Sequence, residues 1–456
     1  MGAFQKPPAK RSFQKRLGWR FFVFGGPVLA GLFAASFWGV RQFAEWRGSF
    51  CERQQQLLLA SKWQNTAARW GADSAVFWLA KAQVDRKLAR DADFLNDLKR
   101  AQARGASTRR LELETLLAEA QRGQLSRLRQ QLSQVLLQGA PGDEVCNAYV
   151  EGCLISYKLD DAAELLKNWS ADFPQDGRPH FLRGRILEHR TNLSAARDAF
   201  QRALDLQPTY AAAAYNLART LVTEQKPAEA IPYYRSCARY LGTPVPGLVG
   251  EARCLRILRR YDEAISLLAV AERSNSEEAA QGFRLVGESK EAAESELLAE
   301  RGRLAADRED HSQAVVCLEE AIAKSPLDWR IRYQLALSQR QVGKLSEARE
   351  NMERVDETKE ALATCDRLFD VLKNEPANVP ARLQIGKVFL RYVSENQGLV
   401  WLNSVLELDG SNVEAHRLTA EYLESHLDEH PEYAELAKKH RERVRRANPV
   451  SGTKGE

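Results

Sequence analysis

Between residues 162 and 271, small and large apolar residues recur among polar ones on a fixed beat. Ala162, Ala196, Ala230 and Ala264 stand 34 residues apart. Four residues after each comes Leu166, Phe200, Tyr234 or Leu268, and seven after comes Trp169, Ala203, Cys237 or Ala271. Twelve before each comes Val150, Gly184, Ala218 or Ala252. Spacings of three and four gather the apolar residues on one helix face. The constant period predicts stacked helix pairs, a helix–turn–helix solenoid. One pair cannot bury its apolar stripe alone. Neighbours bury each other's, and the small residue lets the helices approach closely.

The polar positions agree. Asp160 and Asp161, Asn192, Lys226 and Pro227, and Tyr261 and Asp262 fall in the turn inside successive units. Pro174 and Pro208 follow the second helices, where proline cannot continue them. Further units run through Gly302, Ala314, Leu318 and Ala321, then Ala336, Ala348, Met352 and Val355, then Gly386, Gly398, Leu402 and Val405. A last partial unit holds Ala420 and Leu423. Ala264 to Ala314 and Ala348 to Gly398 are each 50 residues, so 16 residues are added near 272–294 and again near 357–378. Residues 288–300 and 356–374 lack glycine and proline, which predicts extra or lengthened helices rather than loops. Upstream, Trp78, Ala82, Phe94, Leu98 and Ala101 echo the beat less closely, and 113–137 is leucine-rich at helical spacing until Gly139, Pro141 and Gly142 break it. Residues 41–142 therefore read as degenerate helical repeats or an irregular helical cap.

The first forty residues differ. Lys6, Lys10, Arg11, Lys15, Arg16 and Arg20 precede an uncharged run over 21–40. About 20 residues at helical rise span the hydrocarbon of a bilayer. The basic excess before the run places the N-terminus inside and residues 41–456 on the far side, the periplasmic face in a bacterium. A cleaved signal peptide ending near Ala34, Ala35 and Ser36, or an organellar transit peptide, are the rival readings. The order along the chain is then a basic segment (1–20), a transmembrane helix (21–40), degenerate repeats or cap (41–142), regular repeats (143–276), repeats with two insertions (277–378), C-terminal repeats (379–437) and a basic tail (438–456).

The repeat slots resemble the tetratricopeptide repeat family, in its membrane-anchored bacterial type. Tyr215, Asn216, Leu217, Ala218, Leu221, Ala230, Tyr234 and Pro244 give the best match, and the likeness spans 143–430. Arg183, Glu251 and Arg301 depart from it at a slot that is usually apolar. The resemblance implies an all-α, right-handed superhelical solenoid of antiparallel helix pairs, behind the one N-terminal transmembrane helix. It also implies a concave groove, lined by the first helices, that holds protein or peptide partners. By the same resemblance the residue after each small first-helix residue faces that groove. These are Arg185, Arg219, Arg253, Arg303 and Lys387, with Arg256 alongside and Tyr215 and Asn216 flanking Arg219. Glu151 and Leu337 break the series. The family's clamp for a C-terminal carboxylate is not reproduced, because Phe181, Pro246 and Gly250 stand where it carries polar or basic residues. Arginine forks suit carboxylates, so the ladder reads either as a groove for an acidic segment or as internal pairs with acids such as Glu188 and Glu224.

Composition narrows the function. The net charge of +5 owes its sign to residues 1–50, where eight basic residues face one acid, leaving 58 basic and 60 acidic residues beyond them. A body so balanced is unlike a nucleic-acid binder. Seven cysteines, none in a CxxC, suggest buried hydrophobes rather than a disulfide framework or zinc site. His426 and His430, with His416 and His440 nearby, read as surface histidines rather than metal ligands. Asn168 and Asn192 head formal glycosylation sequons. The tail 438–446 reads as a basic helix, either solvated or touching anionic lipid. No motif for catalysis or a cofactor stands out. The expectation is a non-enzymatic, membrane-anchored scaffold that recruits protein partners. The alternatives are a regulatory subunit of a cell-envelope enzyme, or an organellar receptor or import adaptor.

Overall fold

The computed structural model describes residues 38–137, 139–428 and 430–447, and the regular structure among them is helical throughout. The basic stretch 1–20 and the uncharged run 21–40, save its last three residues, lie outside the described residues. So does the end of the tail, 448–456. Among the described residues no helix is long and apolar enough to cross a membrane.

Contacts divide the chain into two units. The first holds residues 38–53 and 57–108, the second 54–56 and 109–447. In the first, α1 (38–53) pairs with α2 (Leu57–Arg69), and α3 (Ala75–Lys87) with α4 (Asp91–Ala103). Ala60, Ala82, Phe94 and Ala101 are buried in it. Lys81 is buried in the α3–α4 pair, its Nζ 2.7 Å from both Asp85 and Asp97.

The second unit begins with α5 (Thr108–Gln121) and α6 (Leu125–Leu137), then α7 (Gly142–Ile155) and α8 (Leu159–Asp172). Next come α9 (Arg178–His189) and α10 (Leu193–Leu206), α11 (Ala211–Thr223) and α12 (Pro227–Tyr240), and α13 (Val245–Ile257) and α14 (Tyr261–Glu272). The first insertion is a separate helix, α15 (Ser276–Leu285). After it come α16 (Lys290–Asp307) with α17 (His311–Lys324), and α18 (Trp329–Gln341) with α19 (Leu345–Asn374). The second insertion is the extra length of α19, which runs for 30 residues. The unit closes with α20 (Val379–Tyr392), α21 (Glu395–Leu408), α22 (Val413–Ser425) and α23 (Ala434–Ala447).

The periodic residues do what their spacing requires. Ala162, Ala196, Ala230, Ala264, Phe200 and Tyr234 are fully buried. Gly184 and Gly250 are close-approach points. A Cβ there would stand 2.4 Å from the Phe200 ring and 2.2 Å from the Tyr234 ring, so no larger residue fits without moving an aromatic. The residues placed in the intra-unit turns open the second helices instead. Asn192 and Lys226 are N-caps of α10 and α12, and Tyr261 begins α14.

The actual turn lies just upstream and repeats with the same beat. Positive φ occurs at Gln55, Ala89, Gly123, Tyr157, Thr191, Gln225 and Arg259, each 34 residues on, then at Glu309 and Gly343. Most of these turns close through a hydrogen bond from the following N–H to a carbonyl five residues back, such as Lys158 to Cys153 at 2.9 Å and Lys226 to Leu221 at 2.8 Å. That bond satisfies a carbonyl that the helix end leaves open and holds even bulky residues in the left-handed region. The side chain of Tyr157 uses this position to reach Trp401, ring centroids 4.7 Å apart.

The atypical slot residues are accommodated by charge or exposure. Arg183 is exposed, Glu251 pairs with Arg235 at 2.7 Å, and Arg301 pairs with Glu272. His426 and His430 do not share a helix, because α22 ends at Ser425. His426 lies 3.2 Å from Glu395, and His416 Nδ1 lies 2.9 Å from His440 Nδ1. Six cysteines are buried and Cys146 is half-buried, all with free thiols. Burial pushes Cys153 and Cys254 up to about 12, which keeps them as inert thiols. Residues 438–447 belong to α23, which packs on α22 through Ala437 and an ion pair of 2.6 Å from Arg441 to Glu424, with Lys438, Lys439 and Arg443 exposed.

The arginine face, a candidate binding site

The first helices α9, α11, α13 and α16 each carry an arginine just after the small-residue slot, and the fold turns these onto a common face. Arg185 sits on α9, Tyr215, Asn216 and Arg219 on α11, Arg253 and Arg256 on α13, and Arg303 on α16. Lys387, on α20, pairs with Glu414 at 3.0 Å. Among the described residues no hydrogen bond or ion pair links Lys387 to the others.

The acids that answer the arginines come mainly from the first insertion and the helix after it. Arg219 bridges Glu188 at 2.8 Å and Glu288 at 2.9 Å, and Tyr215 donates its hydroxyl to Glu288 at 3.3 Å. Glu188 is one of the acids expected from the repeat. Glu224 is not, for it pairs with Arg197 at 2.8 Å. Arg253 contacts Glu296 and, at 3.4 Å, Glu300. Arg256 lies 2.5 Å from Glu300 and 2.8 Å from Asp307, and Arg303 lies 3.2 Å from Glu300. Glu300 is therefore a buried carboxylate inside three guanidinium groups. Glu288, Glu296, Glu300 and Asp307 carry no repeat signature, so periodicity gives no reason to single them out.

The electrostatics follow. Burial would raise the Glu300 carboxyl, but Arg256, Arg253 and Arg303 outweigh it and hold it down at about 2. Burial also works against charge on Arg219, yet Glu288 and Glu188 keep it above the usual arginine range. Arg185 differs. Burial pulls it below the usual range, with Glu151 offsetting and Arg219 adding to the effect. No carboxylate stands within ion-pair distance of Arg185 among the described residues. Its guanidinium instead faces Gly287, where an added Cβ would lie 3.3 Å away.

Asn216 shows what this face can hold. Its Nδ2 donates 2.9 Å bonds to Ala212 O in its own helix and to Val286 O, a carbonyl 70 residues away. Its Oδ1 accepts from Arg219 at 2.9 Å. An amide, a hydroxyl and a guanidinium thus already grip one carbonyl and one carboxylate of an irregular backbone stretch. Beside them, a cavity of about 820 Å³ opens among Arg219, Arg253, Arg303, Trp329, Arg330 and Tyr333. Among the described residues no cluster of three or more histidine, cysteine or acidic side chains is arranged to hold a metal ion.

A family model described as the tetratricopeptide repeat matches residues 158–211, 190–242 and 300–361. These segments resemble tetratricopeptide repeats. The matched repeats take in α8–α12 and α16–α18 and so carry Arg185, Tyr215, Asn216, Arg219 and Arg303. No curated protein matches the chain. Among solved structures, the APC/C hetero-tetramer Cut9-Hcn1 is 14% identical with a TM-score of 0.41, covering 78% of this chain, which spans 63% of that one. Human IFIT1, solved as a dimer with m7Gppp-AAAA, is 15% identical with a TM-score of 0.40, covering 81% of this chain and 90% of its own. PilW, a type IV pilus biogenesis factor, is 13% identical with a TM-score of 0.38, covering 47% of this chain and 91% of its own. Tetratricopeptide repeats serve as interaction surfaces, and this array is suited to protein–protein interaction.

Proposed function

We propose that this protein is a membrane-anchored tetratricopeptide scaffold that recruits protein partners on its arginine face, without turning them over. The observation that carries the reading is the grip of Asn216, Tyr215 and Arg219 on the 286–288 backbone. A face that binds one peptide carbonyl and one carboxylate has the chemistry to bind a partner's acidic segment. The balanced charge beyond residue 50 favours a protein segment over nucleic acid as the partner.

The anchor in this reading is the uncharged run 21–40. Support comes from the start of α1, where Trp38, Phe43 and Trp46 expose more than half of their surface, as aromatic residues do at a bilayer interface. A periplasm-dependent reporter fused after Glu456 should be active in a bacterial host and a cytoplasm-dependent one silent. The opposite pattern would refute the orientation.

Partner binding is tested by affinity capture from detergent-solubilised membranes, wild type against Arg185→Glu. Arg185 is the suitable position because it has no ion-pair partner to lose, whereas reversing Arg253 would set a carboxylate against buried Glu300. Loss of a partner by the folded variant, nuclease-treated in parallel, supports the reading. Retention of every partner, or release by nuclease alone, contradicts it.

A further inference from the structure

The first insertion does not merely lengthen the array. It ends in a four-residue turn between two helices, and that turn lies on the arginine face. Val286 is the C-cap of α15 and Ser289 the N-cap of α16, so only the four residues Val286, Gly287, Glu288 and Ser289 separate the two helices. Gly287 takes φ +94°, a conformation that glycine adopts without strain. Its missing Cβ lets the backbone lie against the Arg185 guanidinium. Val286 offers its carbonyl to Asn216, and Glu288 its carboxylate to Arg219 and Tyr215. The turn is rooted in the main core on both sides, through Val286 before it and Ala293 after it. Phe283 and Val286 are buried in the main core, while Glu288 is held by polar bonds alone and its side chain is 24% exposed.

We propose that residues 286–288 are a built-in occupant of the arginine face, and that an acidic segment of a partner protein must lift Glu288 off Arg219 to bind there. This rests on the scaffold reading above and adds its regulation. With the turn closed, Asn216 and Arg219 are spoken for and Arg185 is the one ladder arginine still without a carboxylate. An arriving segment meets Arg185 first, then competes with Glu288 for Arg219. Gly287 is the hinge. Val286, rooted in the core, limits how far the turn swings and restores it when the partner leaves. The partner's apparent affinity is its intrinsic affinity scaled by the fraction of molecules with the turn open.

The test uses the full chain in detergent and a fluorescein-labelled peptide of eight glutamates, followed by anisotropy. Glu288→Gln keeps the shape and removes the charge that holds the turn to Arg219, and should tighten peptide binding about tenfold. Tyr215→Phe removes only the longer hydrogen bond to Glu288 and should tighten it by about twofold. Melting temperatures within about 3 °C of wild type establish that both variants are folded. Equal affinities for wild type and Glu288→Gln overturn the proposal, as does absence of binding to both. Where affinities are equal, Arg185→Glu separates the two ideas. A loss of binding in that variant leaves the scaffold reading standing without the latch, and unchanged binding removes both.

Discussion

Replacing Glu300 with glutamine should lower the stability of the second unit by about 3–5 kcal/mol at neutral pH, the usual result of removing one member of a buried ionic cluster. The carboxylate is fully buried, and Arg253, Arg256 and Arg303 converge on it with side chains 15–19% exposed. Glutamine keeps the volume but returns no charge, so three guanidinium groups repel one another across a site that water reaches poorly. Urea unfolding, followed by tryptophan fluorescence, reads the loss. The pH dependence has a definite sign. A carboxyl near 2 in the folded chain and in the ordinary range when unfolded contributes stability that is complete above about pH 4.5. That contribution disappears as pH falls from about 4.5 towards 2, so wild type and Glu300→Gln should converge in acid. A variant as stable as wild type at pH 7 would show that the three arginines are compensated elsewhere.

Lys81→Met is the counterpart in the first unit. It removes the ammonium that Asp85 and Asp97 share at 2.7 Å each and leaves two carboxylates that are 1% and 3% exposed. The expected loss is again about 3–5 kcal/mol. Hydrogen exchange should report it in the amides of α3 and α4. Adding Asp85→Leu and Asp97→Leu should recover much of the loss, because an apolar trio of similar volume removes the need to bury charge. Failure of the triple variant to recover would place the cost in packing rather than electrostatics.

The repeat array is legible because its geometry is local. A small residue is needed wherever two helix axes approach, and a Cβ added at Gly184 or Gly302 would stand 2.4 Å from Phe200 or 2.6 Å from Leu318. The same requirement recurs every 34 residues, so spacing alone locates it. The two 16-residue additions are readable by subtraction, and both are helical, one as α15 and one as the extension of α19. The left-handed turn residues are invisible by contrast. Gln55, Ala89, Thr191 and Arg259 have no common side-chain chemistry, since the backbone bond across the turn holds them there.

The candidate site is half legible. Slot position alone brings Arg185, Arg219, Arg253 and Arg303 to one face, and Asn216 and Tyr215 follow from their place beside Arg219. The acids opposite them are not readable, because Glu288 lies 69 residues from Arg219. A period says which repeat neighbours which. It does not say where an insertion folds back, and that decides whether four arginines form an open basic track or a nearly neutral, occupied one. Lys387 obeys the same slot rule and still stands apart, paired within the last repeats.

Partners that bind on the first-helix face of α9 and α11 should disturb the turn at 286–288. Hydrogen exchange on the captured complex, compared with the free chain, tests this most directly. Binding on this face should protect residues 178–189 and 211–223, with faster exchange across 286–290. Protection confined to the second helices α10 and α12, with the turn unchanged, would contradict it.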